Sequence, residues 1–357
     1  MNYIGSKHTL LPFLEGYSRQ IIEPVFRQIE AGHQKIFCDI FAGTGAVGRR
    51  FKEFGFQIIA NDIQAYAYVL NKAYLEINHT PRFDRLKKAY NKEIVAHRSD
   101  SKNSISAVLA FVNSLPGISG FITQNYSPVG ERLYYTEENA QKGDAIRQAL
   151  MEWVTAGLIN ENEYFYLLCS LLEAIDQVAN TASVYGAYLK IFKETAKKPL
   201  QLHPLKLTNH VRGCQAYQGD ANELIKRIKC DVLYLDPPYN HRQYGANYHV
   251  LETIAEYDNP KLRGVTGMRD YLKSPYCQKK FAKKALEELV RQANTKHIFV
   301  SYNDEGVLSL EDIHNILSLR GSPKSVPISY NRFKADSSRE YTRNFTTEFI
   351  HYVHVIN

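Results

Sequence analysis

Asp231-Val232-Leu233-Tyr234-Leu235-Asp236-Pro237-Pro238-Tyr239 reads as an apolar strand that stops on a carboxylate, two prolines and an aromatic ring. Val232, Leu233 and Leu235 suit a strand buried on both faces of a parallel sheet. Pro237 and Pro238 have no N–H to donate, so the strand ends at Asp236. Open α/β sheets bind their ligands at the carboxyl edge of central strands. The prolines fix the backbone beyond that edge and hold one peptide carbonyl facing it. A carboxylate, a fixed carbonyl and an aromatic face suit gripping a flat ring that bears an amino group. Taken alone the tetrapeptide is also an ordinary turn, since Asp and Pro are common turn residues. A second motif upstream decides between the two.

Lys35 to Phe41 form an apolar strand, followed by Ala42-Gly43-Thr44-Gly45-Ala46-Val47-Gly48 and a helix from about Val47 to Phe54. Gly43, Gly45 and Gly48 are spaced G-x-G-x-x-G, a weak pattern alone and a strong one between a strand and a helix. The next strand, Gln57 to Asn61, runs into Asp62, which lies 19 residues after Gly43. About 20 is the spacing expected of an acid that meets a ribose. These parts make a nucleoside-binding βαβ unit. Asp39 stands just before the glycine loop and would repel a pyrophosphate. It suits a ligand with a cationic end, such as a sulfonium nucleoside carrying an ammonium group.

Residues 80–210 interrupt the strand–helix alternation. Helical patterns run at about Phe83–Ala96, Asp144–Val154 and Tyr164–Ala179, with a polar, turn-rich segment at Phe121–Asn139. No strand–helix repeat occurs there, which predicts an inserted, mostly helical lobe. Alternation resumes with a strand near Cys214–Gln218, Gly219-Asp220 and a helix at Ala221–Ile228. Beyond Tyr239 a polar loop holds Tyr244, Asn247 and Tyr248, with a short helix at His249–Glu256. A further strand spans Lys296–Tyr302, then a helix near Leu310–Leu319. The strands at Val326–Phe333 and Thr346–Ile356 predict a hairpin whose connection holds Lys334, Arg339 and Arg343. At the other end a helix is expected from Thr9 to about Ile29, after a Gly5-Ser6-Lys7 turn.

The 357 residues are long enough for one large domain plus an insertion. Forty-four basic against 37 acidic residues give a net charge of +7, a mild bias toward a polyanionic partner. The ten Lys or Arg against three Asp or Glu in residues 260–296 sharpen that bias locally and become phosphate-contact candidates if the substrate is a nucleic acid. Cys38, Cys169, Cys214, Cys230 and Cys277 form no C-x-x-C pair and are odd in number, which argues against a disulfide framework or a structural zinc site. No metal site is expected. No apolar run reaches the roughly 18 residues of a membrane span, and the N-terminus has no cleavable apolar region.

With both motifs placed, the chain resembles the DNA adenine-N6 methyltransferases, above all the Dam-type and restriction–modification enzymes whose cofactor motif comes first. The likeness rests on Tyr3 to Lys7, Asp39 to Gly48, Asp62, Asp220 and Asp236 to Tyr239, and extends in character to Ser301–Gly306 and the terminal hairpin. It implies an α/β fold: a Rossmann-like S-adenosylmethionine-dependent methyltransferase sheet with a C-terminal β-hairpin and the inserted helical lobe. Residues 1–79 and 211–357 would be the catalytic domain, and 80–210 the target-recognition region. S-adenosyl-L-methionine is the implied methyl donor. Tyr3, Lys7, Asp39, Phe41, Gly43, Gly45, Asp62, Asp220 and Asp236 would line its pocket, with Lys7 facing the methionine carboxylate, Asp62 the ribose and Asp220 the donor's adenine. Asp236, Pro237, Pro238 and Tyr239 are the implied catalytic set.

The resemblance also implies duplex DNA as substrate, a cytoplasmic location and room for a cognate restriction endonuclease. Oligomeric state stays open. Tyr244, Asn247, Tyr248, Lys334 and Arg339 are the candidates for touching DNA. The acid at 236 favours adenine N6 over cytosine N4. Methylation of RNA or protein on the same fold, and a DNA-binding module without catalysis, are the competing readings, because fold alone does not choose a substrate.

Overall fold

A computed structural model describes residues 10–97, 104–208, 211–331 and 345–356. Tyr3, Lys7, Lys334, Arg339 and Arg343 lie outside the described residues. The chain divides into two compact units: a helical one of Lys72–Asn209 with Ala246–Tyr271, and a sheet unit of Gly5–Asn71, His210–Gly245 and Leu272–Asn357.

The sheet unit carries seven strands: β1 Ile36–Asp39, β2 Gln57–Asp62, β3 Gln215–Gln218, β4 Val232–Leu235, β5 His297–Asn303, β6 Lys324–Asn331 and β7 Phe345–His354. Their order is β3-β2-β1-β4-β5-β7-β6. The first five are parallel, and β7 runs antiparallel to both β5 and β6. The expected terminal pair is therefore present, with its last strand slotted against β5. From β1 the chain builds outward to β3, then returns to the other side of β1 for β4. The strand order reverses between β1 and β4, and such switch points open the crevice where α/β sheets bind ligands.

Alternation along the strands explains the two packed faces. Phe37 of β1 stacks on Phe51 of the helix Ala46–Glu53 at 3.9 Å between ring centroids, with Phe56 and Tyr234 beside it. On the other face Cys38 and Leu233 pack with Leu286, Leu289 and Val290 of the helix Lys279–Gln292 and Ile313, Ile316 and Leu317 of Leu310–Ser318. The single helix expected over Thr9–Ile29 is two, Leu11–Ile21 and Glu23–Glu30. Pro24 lacks the N–H that would continue the ladder, and its ring disfavours helical backbone in the residue before it.

In the helical unit, Glu137–Thr155 and Glu161–Gln177 are the long helices, the second begun by a capping box between Asn160 and Glu163. Ser104–Ser114 is a helix the pattern did not show. Phe121–Tyr126, inside the stretch expected to be all turn, is another. Its exposed N–H groups are met from afar: Gly120, Ile122 and Thr123 donate to the Asp144 carboxylate at 2.8 to 3.0 Å. Such a cap lies more than 20 residues away and leaves no local signature. Ala246–Tyr271, drawn with the catalytic segment from sequence, belongs to the helical unit in the structure. The helix His249–Glu256 buries Val250, Leu251 and Ile254 and packs against Glu161–Gln177.

Candidate active site

The register of β1 and β4 sets the site. Cys38 pairs with Leu233 and Asp39 with Tyr234. The glycine loop leaving β1 and the Asp-Pro-Pro-Tyr corner leaving β4 therefore emerge side by side at the switch point. Asn61, at the end of β2, ties the neighbouring edges together. Its buried amide donates to the Ile40 carbonyl and to the Gly219 carbonyl, both at 3.1 Å. Gly219 N–H in turn donates to the Asp62 carbonyl, so the turn that delivers Asp220 is fixed beside β2. Asp220 is exposed and caps the short helix Ala221–Leu224 through the Asn222 N–H at 2.7 Å.

The glycine loop is shaped by hydrogen bonds to its backbone. Gly43 N–H donates to Asp62 Oδ2 at 2.8 Å, and Gln64 N–H to Asp62 Oδ1 at 2.9 Å. Asn71 donates its amide to the Gly43 carbonyl at 2.9 Å. Gly45 has φ +73°, and a Cβ there would stand 2.6 Å from Asn71 Oδ1. Both facts demand glycine at 45. Asn71 was not singled out from sequence. Its only signal is a lone amide on the buried face of the apolar helix Ala65–Asn71.

Three carboxylates share this region. Asp39 is buried, and its Oδ1 has no hydrogen-bond partner among the described residues. Burial, then the nearby Asp236 and Asp62 carboxylates, push the Asp39 carboxyl well above the usual carboxylate range, against backbone hydrogen bonds from Phe41 and Gly48. Burial also raises Asp62, while the backbone N–H groups around it pull the other way. A buried carboxylate beside two others is a place where positive charge is stabilised.

Asp236 is half-buried at the end of β4, with Pro237 buried behind it. Tyr239 packs edge-on to Tyr302 of β5 at 5.9 Å, and its carbonyl accepts from Val307 N–H at 2.8 Å. The loop after β5 thus holds the corner in shape. Phe41 meets Tyr276 edge-on at 4.9 Å, and Tyr276 Oη donates to Asn222. Tyr276 is a second residue of this region that sequence reading passed over.

The DNA-contact candidates fare unevenly. Tyr244 and Asn247 are half-buried on the short helix Tyr244–Asn247. Tyr248 is fully buried, 6.4 Å from the ring of Tyr185, and offers no surface to a base. An aromatic in a polar loop looked like a surface residue from sequence. It is a core residue of the helical unit.

A family model of the D12 class N6 adenine-specific DNA methyltransferases matches residues 3–316. The chain is 43% identical to the type II methyltransferase M.NlaIII of Neisseria lactamica, over 98% of both chains. It is 34% identical to the type II methyltransferase M.CviAII of Paramecium bursaria Chlorella virus 1, over 99% of this chain and 98% of that one. Against the type II methyltransferase M.FokI of Planomicrobium okeanokoites the identity is 40% over 99% of this chain, which spans about half (52%) of that relative.

Proposed function

The chain belongs to the D12 class of N6 adenine-specific DNA methyltransferases, and on that premise we propose how its own residues carry the reaction. S-adenosyl-L-methionine supplies the methyl group as a sulfonium electrophile. The residues at the switch point fit such a donor. Asp39 presents an unpartnered buried oxygen, and three carboxylates converge where a cationic ligand would relieve their repulsion. Phe41, Gly43 and Gly45 line the donor's methionine and ribose portion. Asp62 accepts from the ribose hydroxyls and Asp220 from the donor's adenine amino group. Tyr3 and Lys7 complete the pocket on the strength of the resemblance.

Adenine N6 is a poor nucleophile, because its lone pair is delocalised into the ring. Asp236 and the Pro237 carbonyl accept hydrogen bonds from the amino group, which localises the pair and aims it. Positioning and charge stabilisation dominate such a transfer. The proton leaves after attack, since the methylated ammonium is acidic, so Asp236 need not act as a base first. Tyr239 stacks on the base. The base leaves the helix to enter, at a cost of a few kcal/mol of unstacking.

The observation that carries this reading is the adjacency of the two loops at the β1/β4 switch point. The helical unit is the proposed target-recognition region. A cognate restriction endonuclease is the proposed partner, by analogy with relatives named type II methyltransferases, and the cytoplasm the proposed location. Among the described residues no helix is long and apolar enough to cross a membrane. The test is expression in a methylation-free bacterium followed by single-base mapping of modified adenines. Methylated adenines in one short sequence word support the reading. Unmodified DNA with a folded protein that binds no donor in calorimetry overturns it.

A further inference from the structure

Within the helical unit, Gly264-Val265-Thr266-Gly267 forms a tight turn. Arg263 and Met268 pair across its base with N–H···O distances of 2.8 and 2.9 Å, and Gly267 N–H donates to the Gly264 carbonyl at 3.2 Å. What sets this turn apart is beneath it. Four consecutive carbonyls face side-chain donors of the unit. Arg132 Nη2 donates to Gly264 at 3.3 Å and its Nε to Val265 at 3.0 Å. The Thr266 carbonyl lies 2.9 Å from His249 Nε2 and 3.1 Å from Tyr134 Oη. Tyr126 Oη donates to Gly267 at 3.0 Å.

Tyr126, Tyr134 and His249 are fully buried, so the turn is seated on fixed supports. Gly267 has φ +64°, and a Cβ there would stand 2.8 Å from Arg132 Nε. The glycine lets the guanidinium pass under the chain. On this anchored frame Val265 points outward at 79% exposure, while Gly267 is buried. A surface loop has no need of four side-chain anchors to hold an apolar residue in water. Lys261 and Arg263 flank the turn and are exposed, which suits a polyanion, although Arg263 also meets Asp270. Proteins that kink or open a duplex do so by driving apolar side chains between base steps.

We propose that Val265, displayed on the anchored Gly264–Gly267 turn, is an apolar wedge that enters the base stack of the duplex substrate and eases extrusion of the target adenine. The proposal rests on the DNA methyl transfer set out above. The Arg132, His249 and tyrosine donors are positioning residues that hold the wedge rigid.

The test compares two synthetic duplexes carrying a site mapped from the methylation-free host. In one the target adenine is paired with thymine, and in the other it faces an abasic position, where unpairing is already done. Val265→Ala is expected to lower kcat/KM about tenfold or more on the paired duplex and to stay within about threefold of wild type on the abasic one. Val265→Leu should keep most activity on both. An equal loss on both duplexes, or no loss on either, overturns the wedge. The exposed side chain leaves folding intact, and a thermal melt confirms it. Wild-type activity on the paired duplex is the control: its absence would indict the proposed reaction, whereas wild-type activity matched by Val265→Ala indicts the wedge alone.

Discussion

Asp144 in the helical unit and Asp39 in the sheet unit are both buried carboxylates, and their surroundings treat them in opposite ways. Asp144 accepts from the N–H groups of Gly120, Ile122 and Thr123, from Thr123 Oγ1 at 2.7 Å and from Tyr257 Oη at 2.7 Å. Every lone pair it needs to share inside the protein is shared. Asp39 has one oxygen without a partner among the described residues and two like charges nearby. A buried charge is tolerated when hydrogen bonds satisfy it and is strained when they do not. The satisfied acid organises a fold, and the strained one is poised for something that is not protein. The same contrast separates the two units. One spends its polar groups on itself, down to the four carbonyls under Val265, while the other keeps carboxylates turned to the crevice.

Substitutions can break that contrast. The largest expected effect is at the crevice. Asp236→Ala should lower methyl transfer by about 10³-fold or more, with a thermal midpoint near wild type. Normal transfer of labelled methyl groups by this variant would end the assignment. Asp144→Ala should act on stability instead. Stranding buried donors should lower the unfolding free energy by about 3 kcal/mol, read from denaturant midpoints. A shift under about 1 kcal/mol would mean that Asp144 is no more structural than Asp39.

Tyr239→Ala should weaken stacking on the base by about 1–3 kcal/mol, seen as weaker binding of substrate DNA with the fold retained. Asp39→Asn gives the smallest effect and the sharpest sign. A carboxyl raised in the folded state binds protons that the unfolded chain has released, so native stability falls as pH rises above the ordinary carboxylate value of about 4 and through the folded one. The asparagine variant lacks that loss. Without donor its melting temperature should exceed that of wild type by a margin that grows with pH, about 1 kcal/mol by pH 8. Donor binding should be weaker in the variant. Parallel melting curves across pH would show that Asp39 is as well satisfied as Asp144.

The sheet strands were legible because their signals are local. Apolar runs, the glycine loop after β1 and the proline stop after Leu235 each act within a few residues. The hairpin strands β6 and β7 were legible for the same reason. The break at Ile22 was missed although Pro24 signals it, because the apolar pattern runs through the break. Asn71 and Tyr276 were missed because an amide and a phenol in apolar surroundings look the same whether they support a loop or fill space. Tyr248 misled because a polar, aromatic sequence says nothing of what covers it.

The sequence by itself determined that a strand must end at Asp236, that another must turn through glycines after Asp39, and that the alternation is interrupted between them. Proline chemistry, glycine freedom and strand alternation operate along the chain and need no partner. Only the tertiary structure decided that these two ends lie on neighbouring strands at the switch point, that Ala246–Tyr271 joins the helical unit, and that Asp144 is satisfied while Asp39 is not. Hydrogen-bond satisfaction and burial depend on groups that arrive from distant segments, and no short window of residues contains them.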